Sequence, residues 1–203
     1  PNGEFFKLDV DLRDGTMGLW KVTALISNHG SWGSAAHLRT HDGDNSRAWS
    51  WNVSIPTDLP GSVQASKFGD KVVGGSVSTT EVQSWAISLE PGKEGTELFR
   101  KTWNAPAEWA AGNQTVSWAG TSIEEGVFVV WSKETRQYYG FSTETGEYLW
   151  TTEPQYYLDF LIATQTAIVY DKLYSAGVSG ITYCYDLTTG DRLWTYEATD
   201  PYQ

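Results

Sequence analysis

The side chains with obvious chemical potential are few. His37 and His41, four positions apart, would lie on one face of a strand with Asp42 and Asp44 just beyond. Imidazole with carboxylate is a donor set that suits zinc or another transition metal. Asp42-Gly43-Asp44-Asn45-Ser46 resembles a calcium loop in composition, but the glycine is misplaced and the twelfth position is Val53 rather than a glutamate. A solvated hairpin end is therefore the expected role of this stretch, and no metal ligand is assigned. The remaining histidine, His29, has no such neighbours. Cys184 is the only thiol, so it cannot form an internal disulfide. The chain has no Gly-x-Ser-x-Gly, His-Glu-x-x-His, Walker or Gly-x-Gly-x-x-Gly motif, and so gives hydrolase and nucleotide chemistry no positive support. No catalytic or cofactor-binding residue is expected.

The elements that would position any site are far more legible. Tyr138-Tyr139-Gly140-Phe141-Ser142-Thr143-Glu144-Thr145-Gly146-Glu147-Tyr148-Leu149-Trp150 returns as Thr182-Tyr183-Cys184-Tyr185-Asp186-Leu187-Thr188-Thr189-Gly190-Asp191-Arg192-Leu193-Trp194, 44 positions later. Each copy has an alternating aromatic run, a turn at Gly146 or Gly190 where a positive φ is needed, and a second run ending in Leu-Trp. With runs upstream at 127–131 in one copy and at 167–170 and 173–175 in the other, each repeat offers four short strands, the content of one propeller blade. A looser copy spans 71–75, 84–88 and 95–99.

These copies align in columns. Trp85, Tyr139 and Tyr183 fall together, then Ala86, Gly140 and Cys184, then Ile87, Phe141 and Tyr185, and finally Phe99, Trp150 and Trp194. Cys184 thus occupies a small-residue column, where packing rather than nucleophilic chemistry is expected. Asp11-Leu12-x-x-Gly15 ahead of Gly18-Leu19-Trp20 echoes the phrase once more, so the chain is expected to begin inside a blade at its third strand. The expected blades are 1–24 (partial), 25–58 (compressed, with strands at 21–27, 34–40 and 46–54), 59–104, 115–153 and 160–197. All belong to one propeller domain or fragment spanning 1–203. Helical periodicity is confined to short candidates at 105–111 and 156–163, so the class is all-β.

The phrase resembles the repeat of the pyrroloquinoline-quinone-like propellers, the superfamily of quinoprotein alcohol dehydrogenases and of non-catalytic relatives in outer-membrane assembly. The resemblance rests on Tyr185 to Trp194 and its copy ending at Trp150, is clear over residues 120–197 and weaker over 60–103. It implies that the repeated tryptophan docks on the neighbouring blade near the glycine turn, which assigns blade docking to Trp20, Phe99, Gly146, Trp150, Gly190 and Trp194. Seven or eight blades are usual in that family, and about four to four and a half fit here. A partial or small propeller is expected: a piece of a longer one, a closed four-bladed ring, or an arc completed by another copy. The dehydrogenases of the family hold a quinone beside an adjacent pair of cysteines and a calcium ion on carboxylate and amide ligands. The adjacent pair is missing from this chain.

A formal net charge of −11 and 11 Trp with 11 Tyr complete the picture. Aromatic content this high suits wide blade interfaces, while the acidity argues against nucleic acid and anionic membranes as partners. No apolar run is long enough for membrane insertion. Two sequons, at Asn52 and Asn113 in or beside expected loops, mark possible glycosylation. The functional expectation is a non-catalytic, exported scaffold at the cell surface or outside the cell, binding a protein or glycan partner or other copies of the chain, without a cofactor. Trp32, Trp49, Trp103, Trp109 and Trp118, outside the docking column, are the candidate contact residues. The alternatives are part of a quinone- and calcium-dependent alcohol or sugar dehydrogenase, and a periplasmic scaffold for membrane-protein assembly.

Overall fold

The computed structural model describes residues 6–21, 49–111, 114–156, 166–177 and 179–199. The chain divides into two units, Pro1–Leu59 and Pro60–Gln203. In the first, β1 (Phe6–Asp11), β2 (Thr16–Lys21) and β3 (Trp49–Ser54) form an antiparallel sheet in that order. In the second, three four-stranded sheets follow one another, each with its strands in chain order. They are β4 (Ser62–Lys67), β5 (Lys71–Val77), β6 (Glu81–Ser88) and β7 (Glu97–Asn104); β8 (Val116–Ser122), β9 (Val127–Ser132), β10 (Gln137–Ser142) and β11 (Tyr148–Thr151); and β12 (Thr166–Val169), β13 (Lys172–Ala176), β14 (Ile181–Asp186) and β15 (Arg192–Glu197). Among the described residues, one helical turn, α1 (Ala107–Ala110), interrupts the strands. The chain is all-β.

Local chemistry explains the hairpins. The turn after β14 is held by Asp186, whose Oδ1 accepts the backbone N–H groups of Thr188 (2.8 Å) and Thr189 (3.0 Å), and Gly190 closes it at φ 76°. Ser142 does the same work after β10, its Oγ accepting from Glu144 and Thr145 at 3.0 and 3.2 Å before Gly146 at φ 72°. A short side-chain oxygen followed by a left-handed glycine is a strong local turn signal.

The columns of the repeat are directly paired. Ala86 opposes Phe99, Gly140 opposes Trp150 and Cys184 opposes Trp194, and in all three sheets the register slips immediately afterwards. That β-bulge changes which face later residues occupy. Phe141 opposes Tyr148, so Tyr148 and Trp150 project from opposite faces although they stand two positions apart.

The N-terminal unit departs from expectation. β2 pairs with β1 on one side and β3 on the other, so one sheet crosses the expected blade boundary at residue 24. Trp20 lies on the middle strand, whereas Phe99, Trp150 and Trp194 lie on last strands. The misleading signal was the turn itself. Asp11 Oδ1 accepts from the N–H groups of Arg13 and Asp14 and Gly15 is left-handed, as in the Asp186 turn, but such a turn can join any two strands of a sheet. Beyond Lys21, the run at 21–27 lies outside the described residues, as does the run at 34–40, whereas residues 49–54 of the run at 46–54 appear as β3.

Candidate functional site

Docking between successive sheets frames the site. The Trp150 indole passes over Gly140, where a Cβ would come within 2.1 Å of the ring, and lies against Gly190, where a Cβ would come within 2.6 Å. Its Nε1–H donates to the Leu187 carbonyl at 3.0 Å. Beside it, the Tyr138 hydroxyl donates to Ser175 Oγ at 2.7 Å, and Gln155 Nε2 donates to the same oxygen at 3.0 Å. One sheet earlier, Phe99 lies beside Gly146, while Val73 and Ala86 pack with Ile123. Ion pairs Lys71–Glu144 and Lys101–Glu147 cross the same seam. The β4–β7 and β8–β11 sheets therefore each set the ring of their last strand on the glycine turn of the next sheet. The fold is that of a partial β-propeller.

Trp194, at the end of this series, is 45% exposed, against 6% for Trp150. Trp20 instead packs on Trp49, ring centroids 4.2 Å apart.

An open cleft of about 440 Å³ lies between β7 and the β10–β11 hairpin. Trp103 forms one wall, with Pro106 and Glu108 from α1 and its approach; Gln137, Tyr139, Tyr148, Thr151 and Thr135 form the other. Trp103 and Tyr148 stack 5.5 Å apart at 12°, and Tyr148 is 40% exposed. Trp109 anchors α1: fully buried, it meets Trp103 edge-on at 5.7 Å and Tyr139 at 4.9 Å. Hydrogen bonds fix the polar groups. Gln137 Nε2 donates to the Thr152 carbonyl at 2.9 Å, the Tyr148 and Thr151 hydroxyls share a bond at 2.7 Å, and the Thr135 hydroxyl donates to the Ser132 carbonyl at 3.3 Å. The result is a rigid aromatic shelf ringed by an amide, hydroxyls and one carboxylate, a lining suited to orienting a polar ligand with an apolar face.

Of the four candidate contact tryptophans among the described residues, only Trp103 lines this cleft. Trp109 is wholly buried, Trp49 packs on Trp20, Trp118 stacks on Phe128 at 4.3 Å, and Trp32 lies outside the described residues. Tyr148 escaped the sequence reading because a regular strand would have put it on the Trp150 face; the bulge puts it on the other. Gln137 and Glu108 carry no sequence signal of their own.

The remaining sequence candidates are scattered. His29, His37, His41, Asp42, Asp44 and Asn113 lie outside the described residues. Asn52 is exposed, but on β3 rather than in a loop. Cys184 is fully buried beneath the last strand, and burial pushes its thiol above the usual range, with Lys172 pulling it partly back. A buried thiol held protonated is a poor nucleophile. Burial likewise raises Tyr183, and more strongly Tyr185.

Cys184 is the single cysteine of the sequence, and the described residues contain no cluster of three or more His, Cys, Asp or Glu placed to hold a metal.

No family model and no curated protein matches the sequence. Among solved structures, the propeller is similar to BamB from Moraxella catarrhalis at 15% identity over 94% of this chain and 45% of that one, TM-score 0.45. It is similar to a europium-containing methanol dehydrogenase at 13% identity over 98% of this chain and 41% of that one, TM-score 0.48. The quinohemoprotein alcohol dehydrogenase ADHIIG of Pseudomonas putida shares 15% identity over 98% of this chain and 33% of that one, TM-score 0.44. The chain spans less than half the length of each. The likeness is one of fold.

Proposed function

We propose that this propeller is a non-catalytic, exported binding scaffold whose partner is a glycan seated in the Trp103–Tyr148 cleft. One observation carries the reading: an aromatic face, 40% exposed on Tyr148 and backed by Trp103, is surrounded by the polar groups of Glu108, Gln137, Thr135 and Thr151. A sugar ring has the matching anatomy, an apolar C–H face edged with hydroxyls. The aromatic stack is held by Trp109 and Phe141, so little ordering is required when the ligand binds. The two sequons support an exported address, and among the described residues no helix is long and apolar enough to cross a membrane.

The test is a calorimetric titration with soluble cello-, malto- and chito-oligosaccharides, followed by intrinsic tryptophan fluorescence compared with that of Trp103→Phe. Binding to at least one series, weakened at least tenfold in Tyr148→Ala with the fold unchanged, is the expected result. Absence of binding to all three, or binding indifferent to Tyr148→Ala, overturns the assignment of this cleft.

A further inference from the structure

The Trp103–Tyr148 cleft is lopsided in both charge and hydrogen bonding. Among the described residues that line it, Glu108 brings a carboxylate and no side chain is cationic. Glu108 is exposed and, among the described residues, has no ion-pair partner. α1 fixes its place: Trp109, next along the chain, is fully buried, and its backbone N–H donates to the Pro106 carbonyl at 3.0 Å. Arg136, the cation between Thr135 and Gln137 in sequence, is engaged elsewhere, its Nη1–H donating to the Tyr156 carbonyl at 3.0 Å. The donors of the wall are largely spent as well. The Thr135 hydroxyl, Gln137 Nε2 and the Tyr139 hydroxyl each donate to a protein oxygen, at 3.3, 2.9 and 3.5 Å, and one of the Tyr148 and Thr151 hydroxyls donates to the other at 2.7 Å. Each bond consumes a hydrogen, whereas the oxygens keep lone pairs and a carboxylate only accepts.

We infer that the ligand of this cleft is an amino sugar carrying a free ammonium group, an inference that rests on the glycan reading of the same site. An ammonium has three donors and no acceptor, the complement of an acceptor-rich wall. It is attracted to an aromatic face within about 6 Å, and 40% of Tyr148 is open to receive it. The Glu108 carboxylate adds a second attraction, on a chain whose net charge of −11 already favours cations. N-acetylation removes that charge, and a uronic or sulfated sugar sets like charge against Glu108. Glu108 is thus the residue that selects among sugars, while the aromatic shelf holds the ring.

Calorimetric titration of the 203-residue chain compares tetrasaccharides of glucosamine, N-acetylglucosamine and glucose with the same linkage, at about pH 6, where an amine is protonated. The glucosamine series is expected to bind at least about fivefold more tightly than either neutral one. That preference should fall at least about threefold in Glu108→Gln and stay unchanged in Glu125→Gln, an exposed carboxylate outside the cleft lining that controls for bulk charge. Equal affinities for the three sugars, or a preference that survives Glu108→Gln or falls equally in Glu125→Gln, overturn the inference and leave the glycan site standing. Absence of binding by all three overturns both.

Discussion

Trp150 and Trp194 end the same sequence phrase, oppose the same small-residue column and follow the same bulge, yet one is core and the other is surface. The difference lies in what each ring meets. Trp150 meets Gly190, the Leu187 carbonyl and the Leu173–Tyr185 cluster; Trp194 meets Tyr174 at 6.1 Å within its own sheet. A repeat specifies what each sheet offers to a neighbour, and the neighbour decides whether that offer becomes buried core.

Breaking the covered face should have the largest effect. Trp150→Ala removes a buried indole and leaves a cavity between two sheets, and a loss of about 3–5 kcal/mol is expected in urea unfolding. Gly190→Ala attacks the same contact from the other side. Its φ of 76° is left-handed and a Cβ would sit 2.6 Å from the Trp150 ring, so about 2–4 kcal/mol is expected from backbone strain and overpacking together. The smallest effect sharpens the comparison by pH. Hydrogen bonds from the Thr188 hydroxyl and from the Thr188 and Thr189 N–H groups hold the Asp186 carboxyl below its ordinary 3.8. A carboxyl lowered in the folded state stabilises fully above its unfolded value, and that contribution disappears as pH falls through the lowered one. The β14–β15 turn should therefore loosen below about pH 4, while the equivalent turn at Ser142 has no carboxyl to titrate. Limited proteolysis against pH should show the difference, and Asp186→Ser should abolish it.

Most of the architecture was legible because the repeat encodes it redundantly: a left-handed glycine, a turn-holding Asp or Ser, and alternating large and small residues all specify the same hairpin. The first unit was misread because its Asp11–Gly15 turn obeys the same local rules in a different place in the sheet. The cleft was largely illegible. It is assembled from Trp103, the α1 turn and Tyr148, which lie on two sheets and are brought together only by sheet packing, and the bulge after Gly140 reverses the parity that would have placed Tyr148.

The central claim is that the neighbouring sheet, rather than the residue, makes the repeated tryptophan structural. It is tested most directly by urea unfolding of Trp150→Ala and Trp194→Ala side by side, at a dilution where the chain is monomeric. A loss of about 3–5 kcal/mol for Trp150→Ala against about 1 kcal/mol or less for Trp194→Ala is the predicted result. Equal losses at the two positions would contradict it.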